Sequence, residues 1–248
     1  MIQSLARGLD ILNILQQKET ASVTEIAADL GVNKSSASRL METLRQYDMV
    51  QVDRVTKRYR LGLRMLTLSE GVKQNIEVIS VARPHLSELL EAFQESVHLC
   101  SLSNGQVYVV DQIRSNKLYA LSATVGQAEP IHCSSVGKCI LAYRRPDSLK
   151  KMLDGYDFVK YTEKTIVDYD ILMKELAQIR MQGYAVDNEE MTIGVRCLAA
   201  PIHNYHGSVT NSIGISSLAA RITEPHLERI AKKLITVAHN ISTELGRR

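Results

Sequence analysis

Near the N-terminus, apolar residues recur with a helical period in two short segments that flank Gly31. In the first segment Ser22 stands three residues before Glu25, which is the spacing of a capping box at the start of a helix. The second segment begins at Asn33 or Lys34, and its apolar positions follow at intervals of three and four: Ala37, Leu40, Met41 and Leu44. The pattern predicts two helices joined by a tight turn, a helix-turn-helix.

Residues 50–61 alternate apolar and polar side chains around a charged centre, Asp53 to Arg58. This period of two predicts a pair of β-strands with a basic tip, the wing of a winged helix. Residues 33–64 hold eight Lys/Arg and three Asp/Glu, whereas residues 71–248 hold 20 basic and 19 acidic groups. Concentrated positive charge favours contact with DNA phosphates, because the release of counterions drives binding. A helix-turn-helix that contacts another protein is the alternative.

We therefore predict that the second helix enters the major groove of double-stranded DNA. The wing and the N-terminal residues are expected to contact the phosphate backbone or the minor groove. The predicted contact residues share polar side chains on the expected solvent side: Arg7, Lys34, Ser35, Ser36, Ser38, Arg39, Arg54, Lys57 and Arg58.

A chain of 248 residues is long enough for about two domains. We predict a DNA-binding domain over 1–62, a linker helix over 63–79 and a second domain over 80–248. The linker carries an apolar stripe that no proline interrupts before Pro84: Leu63, Leu66, Val72, Ile76 and Ile79. Because such a stripe requires a partner, we expect a homodimer. Packing of the stripe on its own domain is the alternative.

The sequence lacks two signals that would direct the chain into or across a membrane. No segment reaches the roughly 18 apolar residues of a membrane span, and Met1 to Arg7 lack the apolar core of a signal peptide. We expect a cytoplasmic protein that does not contact a membrane. The cysteines lack CxxC spacing and lie in apolar surroundings, so reduced and mostly buried thiols are expected at Cys100, Cys133, Cys139 and Cys197.

Beyond Pro84 the pattern changes to mixed helices and strands. An Asn104-Gly105 turn predicts a hairpin of strands 96–102 and 107–111, and a shorter strand is expected at about 117–124. The remaining elements are a helix at 135–143, a helix at 168–181 that stops at Gly183, a hairpin of 197–203 and 209–216, and a final helix at 227–245. Hairpins with helices between them predict an α+β domain in which helices cover an antiparallel sheet.

The segment His132 to Lys138 lies where a loop becomes a helix, so the free amides of Ser135, Val136 and Gly137 can hold a carboxylate. The residues that would complete a phosphate-binding loop are absent. An ordinary serine-capped helix start that packs on the sheet is an equally good interpretation.

Two other clusters are candidates for ligand binding. Asp187 is followed by Glu189 and Glu190 after an apolar strand, and these acids suit either a polar ligand or a hydrated turn. The small residues at 213–217 suit the floor of a cavity or simple strand packing. A catalytic acid pair and a metal site at His98 and Cys100 are both disfavoured, so we predict no catalytic residue, no metal and no cofactor.

Taken in order, the motifs resemble the IclR family of bacterial transcriptional regulators over nearly the whole chain. They are residues 4–12, the capped helix-turn-helix, 59–62, 132–138, 183–190, 194–197 and 215–216. The resemblance implies a winged helix, a linker helix and a C-terminal effector-binding domain related to GAF domains. It also implies dimers or dimers of dimers on operator DNA, regulated by a small metabolite such as a carboxylic or sugar acid.

The resemblance further implies which residues hold the effector. Backbone amides at Ser135 and Val136 would hold its carboxylate, and the remaining positions are Asp187, Val195, Cys197, Gly214 and Ser216. Two departures from some members occur at these positions: this chain has Ser-Val at 135–136 where they have Gly-Ala, and Gly214 where they have Ser. The effector of any one relative is therefore not transferred to this chain.

Two other functions compete with a ligand-responsive regulator, most simply a repressor. One is a GAF-like thiol enzyme fused to a DNA-binding head, with Cys133 or Cys197 as its nucleophile. The other is a structural protein that bridges DNA and binds no small molecule. The size and mixed character of the second domain argue against the structural protein. The thiol enzyme fails if neither cysteine reacts near neutral pH.

Overall fold

The structure is a computed structural model that describes residues 2–74, 76–118, 120–121 and 123–247. The chain forms two compact units, residues 1–75 and residues 76–248. No helix in the described ranges is both long enough and apolar enough to cross a membrane.

The first unit contains a three-helix core, a two-stranded wing and a further helix. In chain order its elements are α1 (Gln3–Lys18), α2 (Val23–Asp29), α3 (Lys34–Gln46), β1 (Val50–Val52), β2 (Tyr59–Leu61) and α4 (Arg64–Gln74). The strands are antiparallel, with Val50 opposite Leu61, and Ala21 forms a bridge to Tyr59 beside them. Ile11, Ile26 and Met41 are fully buried in the core of this unit.

The predicted helix-turn-helix and wing are confirmed. The capping box forms at α2, where the Glu25 amide donates to Ser22 Oγ at 3.3 Å and the Ser22 amide donates to Glu25 Oε2 at 2.6 Å. Asn33 caps α3 by accepting the Ser36 amide at 2.8 Å. Gly62 follows the wing, and a Cβ there would lie 2.0 Å from the carbonyl oxygen of Asp48, so only glycine fits. Sequence patterns missed α1.

The prediction of one continuous helix over 63–79 is wrong in its extent. Helix α4 ends at Gln74 and a new helix, α5 (Glu77–Phe93), begins after Ile76. Leu63, Leu66 and Val72 are exposed, whereas Ile76 and Ile79 pack on the core of the second unit. The apolar stripe is therefore divided, and the alternative of packing on its own domain holds for its last two residues.

Pro84 does not end a helix, because α5 continues through it. A proline in a helix interior removes one backbone hydrogen bond, which is unfavourable by itself. The helix buries a regular apolar face that outweighs this loss: Val78, Ala82, Leu86, Leu89 and Phe93.

The second unit is a six-stranded antiparallel sheet with helices on both faces. After α5 come β3 (Ser96–Ser103), β4 (Gln106–Ile113), β5 (Ala128–Glu129), α6 (Ser135–Ala142), α7 (Pro146–Leu153), α8 (Tyr169–Gln182), β6 (Ala185–Asn188), β7 (Val195–His203), β8 (Val209–Leu218), a 3₁₀ turn (Ala219–Arg221) and α9 (Glu224–Glu244). The strand order is β5-β4-β3-β8-β7-β6. This confirms the predicted α+β architecture.

The pleat of the sheet separates two apolar cores. Val97 and Leu99 on β3 face the core formed with α5 and α9, whereas Cys100 faces the core formed with α6 and α8. The predicted ends of α8 are confirmed, since Asp168 accepts the Ile171 amide and Gly183 ends the helix with φ of 81°.

Two local predictions differ from the structure. The described residues of 117–124 contain no strand, and β5 forms at 128–129 instead; residues 119 and 122 of that prediction lie outside the described residues. Helix α7 was not predicted, although Pro146 at its first position and buried Leu149 and Leu153 one turn apart carry the signal.

Candidate nucleic-acid interface and ligand cavity

Helix α3 has one buried face and one polar face. Ala37 and Met41 are buried against the rest of the first unit. On the other side Ser36 is half-buried and four polar residues are exposed: Lys34, Ser35, Ser38 and Arg39. In the described part of the chain Arg39 forms no ion pair, whereas Arg45 on the same helix is paired with Glu42 at 2.7 Å. Arg39 is thus available to a ligand, and Arg45 is partly satisfied within the helix.

The tip of the wing is a tight turn that presents basic side chains. Asp53 Oδ1 accepts the amides of Val55 and Thr56, each at 2.8 Å. These hydrogen bonds, that from Thr56 first, lower the pKa of the Asp53 carboxyl. Arg54 and Lys57 are exposed on either side of the turn. A rigid turn with two exposed cations is a suitable geometry for phosphate contacts.

Arg58 has a role inside the first unit that sequence reasoning missed. Its guanidinium donates to Thr20 Oγ1 at 3.0 Å and lies 3.0 Å from Glu25 Oε2. It therefore joins the wing to the capping box of α2. Arg7 is half-buried and borders a surface groove with Asp10 and Asp29. For both arginines, contact with DNA stays a prediction.

A cavity of about 250 Å³ lies in the second unit at the start of α6. It is lined by His98, Leu121, Ala123, Gln127, Glu129, Ser134, Ser135, Val136, Asp187, Met191, Thr192, Val195, Cys197 and Ser216. Six of the seven predicted effector-binding residues are in this set, so the structure brings the pair at 135–136 together with residues 51 to 81 positions further along the chain. That these residues bind an effector stays a prediction.

The seventh, Gly214, lies beside the cavity on β8. A Cβ at Gly214 would approach His98 Nε2 to 2.6 Å, so the absence of a side chain leaves room for the imidazole. Gly214 therefore shapes the cavity through His98, its register partner on β3.

The first turn of α6 leaves two backbone donors at the cavity. Ser134 caps the helix by accepting the Gly137 amide on its Oγ at 3.0 Å, and the same hydroxyl donates to the Pro130 carbonyl at 2.7 Å. The amides of Ser135 and Val136 have no acceptor among the described residues. Together with the helix dipole, these two amides favour an anionic group.

Asp187 is almost fully buried and lines the same cavity. Its Oδ1 accepts the Glu190 amide at 2.7 Å and the Met191 amide at 3.4 Å. Burial raises the pKa of this carboxyl to about 6, against the lowering effect of these hydrogen bonds and of Lys138. Asp187 is thus both a turn-forming acceptor and a polar group at the cavity.

Lys138, on α6, joins this helix to the loop that follows Asp187. Its ammonium is only 1% exposed and lies 2.5 Å from Glu190 Oε1 and 3.2 Å from Glu175 Oε1. Burial raises the pKa of Glu190, and the Lys138 ammonium opposes this effect. The ion pair joins α6 to the 189–194 loop, and both contribute residues to the cavity lining.

The cysteines do not have the environment of a nucleophilic thiol. Cys197 Sγ donates to Ser216 Oγ at 3.1 Å, and burial raises the pKa of Cys197 far above its ordinary value. Burial also raises the pKa of Cys133 to about 12. Because the thiolate is the reactive form, neither residue is activated at neutral pH. Within the described ranges no group of three or more His, Cys, Asp and Glu can hold a metal ion.

A basic helix-turn-helix joined to an α+β unit with its own cavity is the architecture of a helix-turn-helix transcriptional regulator. Residues 4–54 match the IclR helix-turn-helix domain, and residues 71–243 match the C-terminal domain described as bacterial transcriptional regulator IclR. The chain belongs to the IclR family, and its second unit has the GAF-like architecture that the resemblance implied.

Individual relatives agree with this assignment. The chain is similar to the HTH-type transcriptional regulator KdgR of Escherichia coli, with 29% identity over 99% of this chain and 93% of KdgR. It is 31% identical to the HTH-type transcriptional repressor AllR of Salmonella typhimurium, over 98% of this chain and 90% of AllR. The crystal structure of Thermotoga maritima IclR matches with a TM-score of 0.84 and 28% identity, over 99% of this chain and 100% of that one. These relatives are regulators, which argues against the thiol enzyme.

Proposed function

We propose that the protein is a cytoplasmic repressor that binds operator DNA through its first unit and releases it when a small carboxylic or sugar acid occupies the cavity. The observation that carries the effector proposal is the pair of free amides at Ser135 and Val136 beside a cavity of about 250 Å³. The acid group would accept hydrogen bonds from both amides, and the polar groups around Asp187 would bind the rest of the molecule.

In the DNA-bound state α3 would lie in the major groove, with Arg39 and the exposed polar residues of its first turns near the base edges. Arg54 and Lys57 would contact phosphates. An effector changes DNA affinity only if it binds one arrangement of the protein more tightly than the other. We propose that residues 63–79 transmit that difference from the cavity to the DNA-binding unit.

Replacement of Asp187 by Asn tests the effector site. Asparagine keeps a side-chain oxygen for the Glu190 amide but removes the carboxylate, so the loop is expected to stay folded. We expect an acid that raises the melting temperature of the wild-type protein to bind the variant about tenfold more weakly, the loss of one charge-assisted hydrogen bond. Calorimetric titration measures the affinity, and a gel shift with the same acid measures operator release.

The matched control is Asp168→Asn, because Asp168 accepts one backbone amide at the start of α8 and does not line the cavity. Equal affinity of the acid for wild type and Asp187→Asn would remove Asp187 from the site. If no carboxylic or sugar acid binds the wild-type protein, the effector class proposed here is wrong.

We further propose that the protein is a homodimer or a dimer of dimers on its operator. In support, α4 and the residue before it expose Leu63, Leu66 and Val72, and α1 exposes Leu5 and Leu9. A charge in this apolar surface should weaken self-association, so Leu66→Asp is expected to sediment as a smaller species than wild type. Leu118→Asp, at an 89% exposed leucine of the second unit, is the control. A wild-type monomer at micromolar concentration would contradict the proposal.

A further inference from the structure

His98 is a buried polar side chain at the cavity with no hydrogen-bond partner among the described residues. Its residue is 6% exposed, it lines the cavity from β3, and nothing else in the described part of the chain donates to it or accepts from it. Burial lowers the pKa of the imidazole to about 4, so the ring is neutral and offers one donor and one acceptor. Buried polar groups are nearly always paired, so an unpaired one indicates a missing partner.

Glu129 is a second polar group at the cavity, and it is half-buried. It lies on the edge strand β5 opposite Val107, a residue of the core on the α6 side of the sheet, and it also lines the cavity. Its carboxyl forms no hydrogen bond or ion pair with the rest of the described chain. Burial raises the pKa of Glu129 to about 7. Removal from water without a partner is unfavourable for this group as well.

Among the described residues that line the cavity, none is Lys or Arg. Its side chains with acceptor atoms include those of His98, Gln127, Glu129 and Asp187, whereas the amides of Ser135 and Val136 are its unpaired backbone donors. A ligand whose acid group binds these amides can pair both His98 and Glu129 only if it also carries hydrogen-bonding groups, at least one of them a donor. An aliphatic or aromatic acid whose only polar group is its carboxylate cannot do this.

We propose that His98 and Glu129 form a hydroxyl-binding subsite, and that the effector is a small hydroxy acid with hydroxyl groups beyond its carboxylate. This inference rests on the proposed effector cavity and narrows the class of ligand. A hydroxyl group donates to Glu129, and another exchanges a hydrogen bond with the imidazole of His98. By proportion with a benzene-sized cavity of about 150 Å³, the available volume holds roughly ten non-hydrogen atoms.

The subsite would discriminate between acids that carry hydroxyl groups and acids that lack them. An acid without further polar groups leaves His98 and Glu129 unpaired, which costs up to roughly a hundredfold in affinity for the buried imidazole and less for the half-buried carboxyl. A site built to hydrogen-bond a hydroxyl rejects an analogue that lacks it more strongly than an apolar pocket rejects a change in size. His98 and Glu129 would therefore determine specificity, while the α6 amides supply the general affinity for acids.

The test compares pairs of acids that differ only in their hydroxyl groups and fit the cavity: threonate with butyrate, and glycerate with propionate. The full-length protein is titrated with each acid by calorimetry. 4-Aminobutyrate is included because its hydrogen-bond donor is an ammonium group instead of a hydroxyl group. We expect at least one hydroxy acid to bind at least tenfold more tightly than its parent acid and than 4-aminobutyrate.

Two variants test whether Glu129 and His98 cause this discrimination. Glu129→Leu and His98→Leu should each weaken binding of the preferred hydroxy acid about tenfold while butyrate or propionate binds equally or better. His98→Leu removes a buried polar group and Glu129→Leu a half-buried one, neither with a partner in the described chain, so the melting temperature of the unliganded protein should not fall. Glu129→Gln, which keeps polar atoms in place, should recover part of the affinity. Glu163→Leu, at an exposed residue away from the cavity, is the matched control.

The outcomes separate this inference from the proposed function. If parent acids or 4-aminobutyrate bind as tightly as the hydroxy acids, the hydroxyl-binding subsite is wrong and the acid-binding cavity stands. If the hydroxy acids bind preferentially but both leucine variants keep that preference, His98 and Glu129 are not the residues responsible. If none of the acids binds, the effector class is wrong and the subsite falls with it.

Discussion

Replacement of Arg39 by Ala is expected to weaken binding to specific DNA roughly 10- to 100-fold, because a base contact by arginine is worth about 1–3 kcal/mol. Arg39 is exposed on α3 and has no ion-pair partner in the described chain, so DNA would be its first charged partner. Binding is measured by fluorescence anisotropy on a duplex selected by the wild-type protein from a random pool. The effector unit should keep its melting temperature, since the change lies in the other unit.

Two further variants separate base contact from general charge. Arg45→Ala removes the same charge from the same helix, but Arg45 is already paired with Glu42, so its effect should be smaller. Lys57→Ala on the wing should weaken specific and unrelated duplexes to a similar degree and reduce the salt dependence of binding by about one counterion. If Arg39→Ala leaves the affinity for the selected duplex unchanged, α3 is not the recognition helix.

Local sequence patterns predicted most of the fold because local chemistry determines its elements. The Ser22 and Glu25 capping box, the Asp168 cap and the Asn104-Gly105 turn each act within four residues, and all three have the predicted structure. The errors occur where packing between residues far apart in the sequence determines the local structure. Burial of the α5 face against β3 and α9 carries the helix through Pro84, a residue that local reasoning treats as a boundary.

The site was predictable only in part, for the same physical reason. Ser135 and Asp187 stand beside a helix start and a strand end, and both positions have local signatures. His98 and Glu129 have no local signature, because their role depends on which strand lies beside them and which side of the sheet they face. Arg58 shows the converse: its sequence context indicates a surface cation, and the fold uses it to tie the wing to α2.

Replacement of Lys138 by Met should have the largest effect on stability, a loss of about 3–5 kcal/mol, because it leaves a buried carboxylate without its counter-ion. Lys138 is 1% exposed, and its partner Glu190 is 8% exposed with Oε2 already lacking a hydrogen-bond partner in the described chain. For a unit of this size the melting temperature should fall by roughly 10 °C. Thermal unfolding followed by circular dichroism measures the change.

A second substitution, at Glu190, and the pH dependence of stability identify the cause of the loss. Lys138→Met with Glu190→Leu should recover much of the loss, since apolar residues can replace a buried ion pair at little cost. Without the ammonium, the pKa of Glu190 in the folded state rises further above its unfolded value. A group whose pKa is raised in the folded state contributes stability at low pH and loses it as pH rises. The loss of stability in Lys138→Met, relative to wild type, should therefore become smaller when the pH is lowered from 8 to about 5.

Lys160→Met, whose partner Glu163 is 92% exposed, should change stability little. A loss for Lys138→Met as small as that for Lys160→Met would show that the buried pair does not hold α6 to the 189–194 loop.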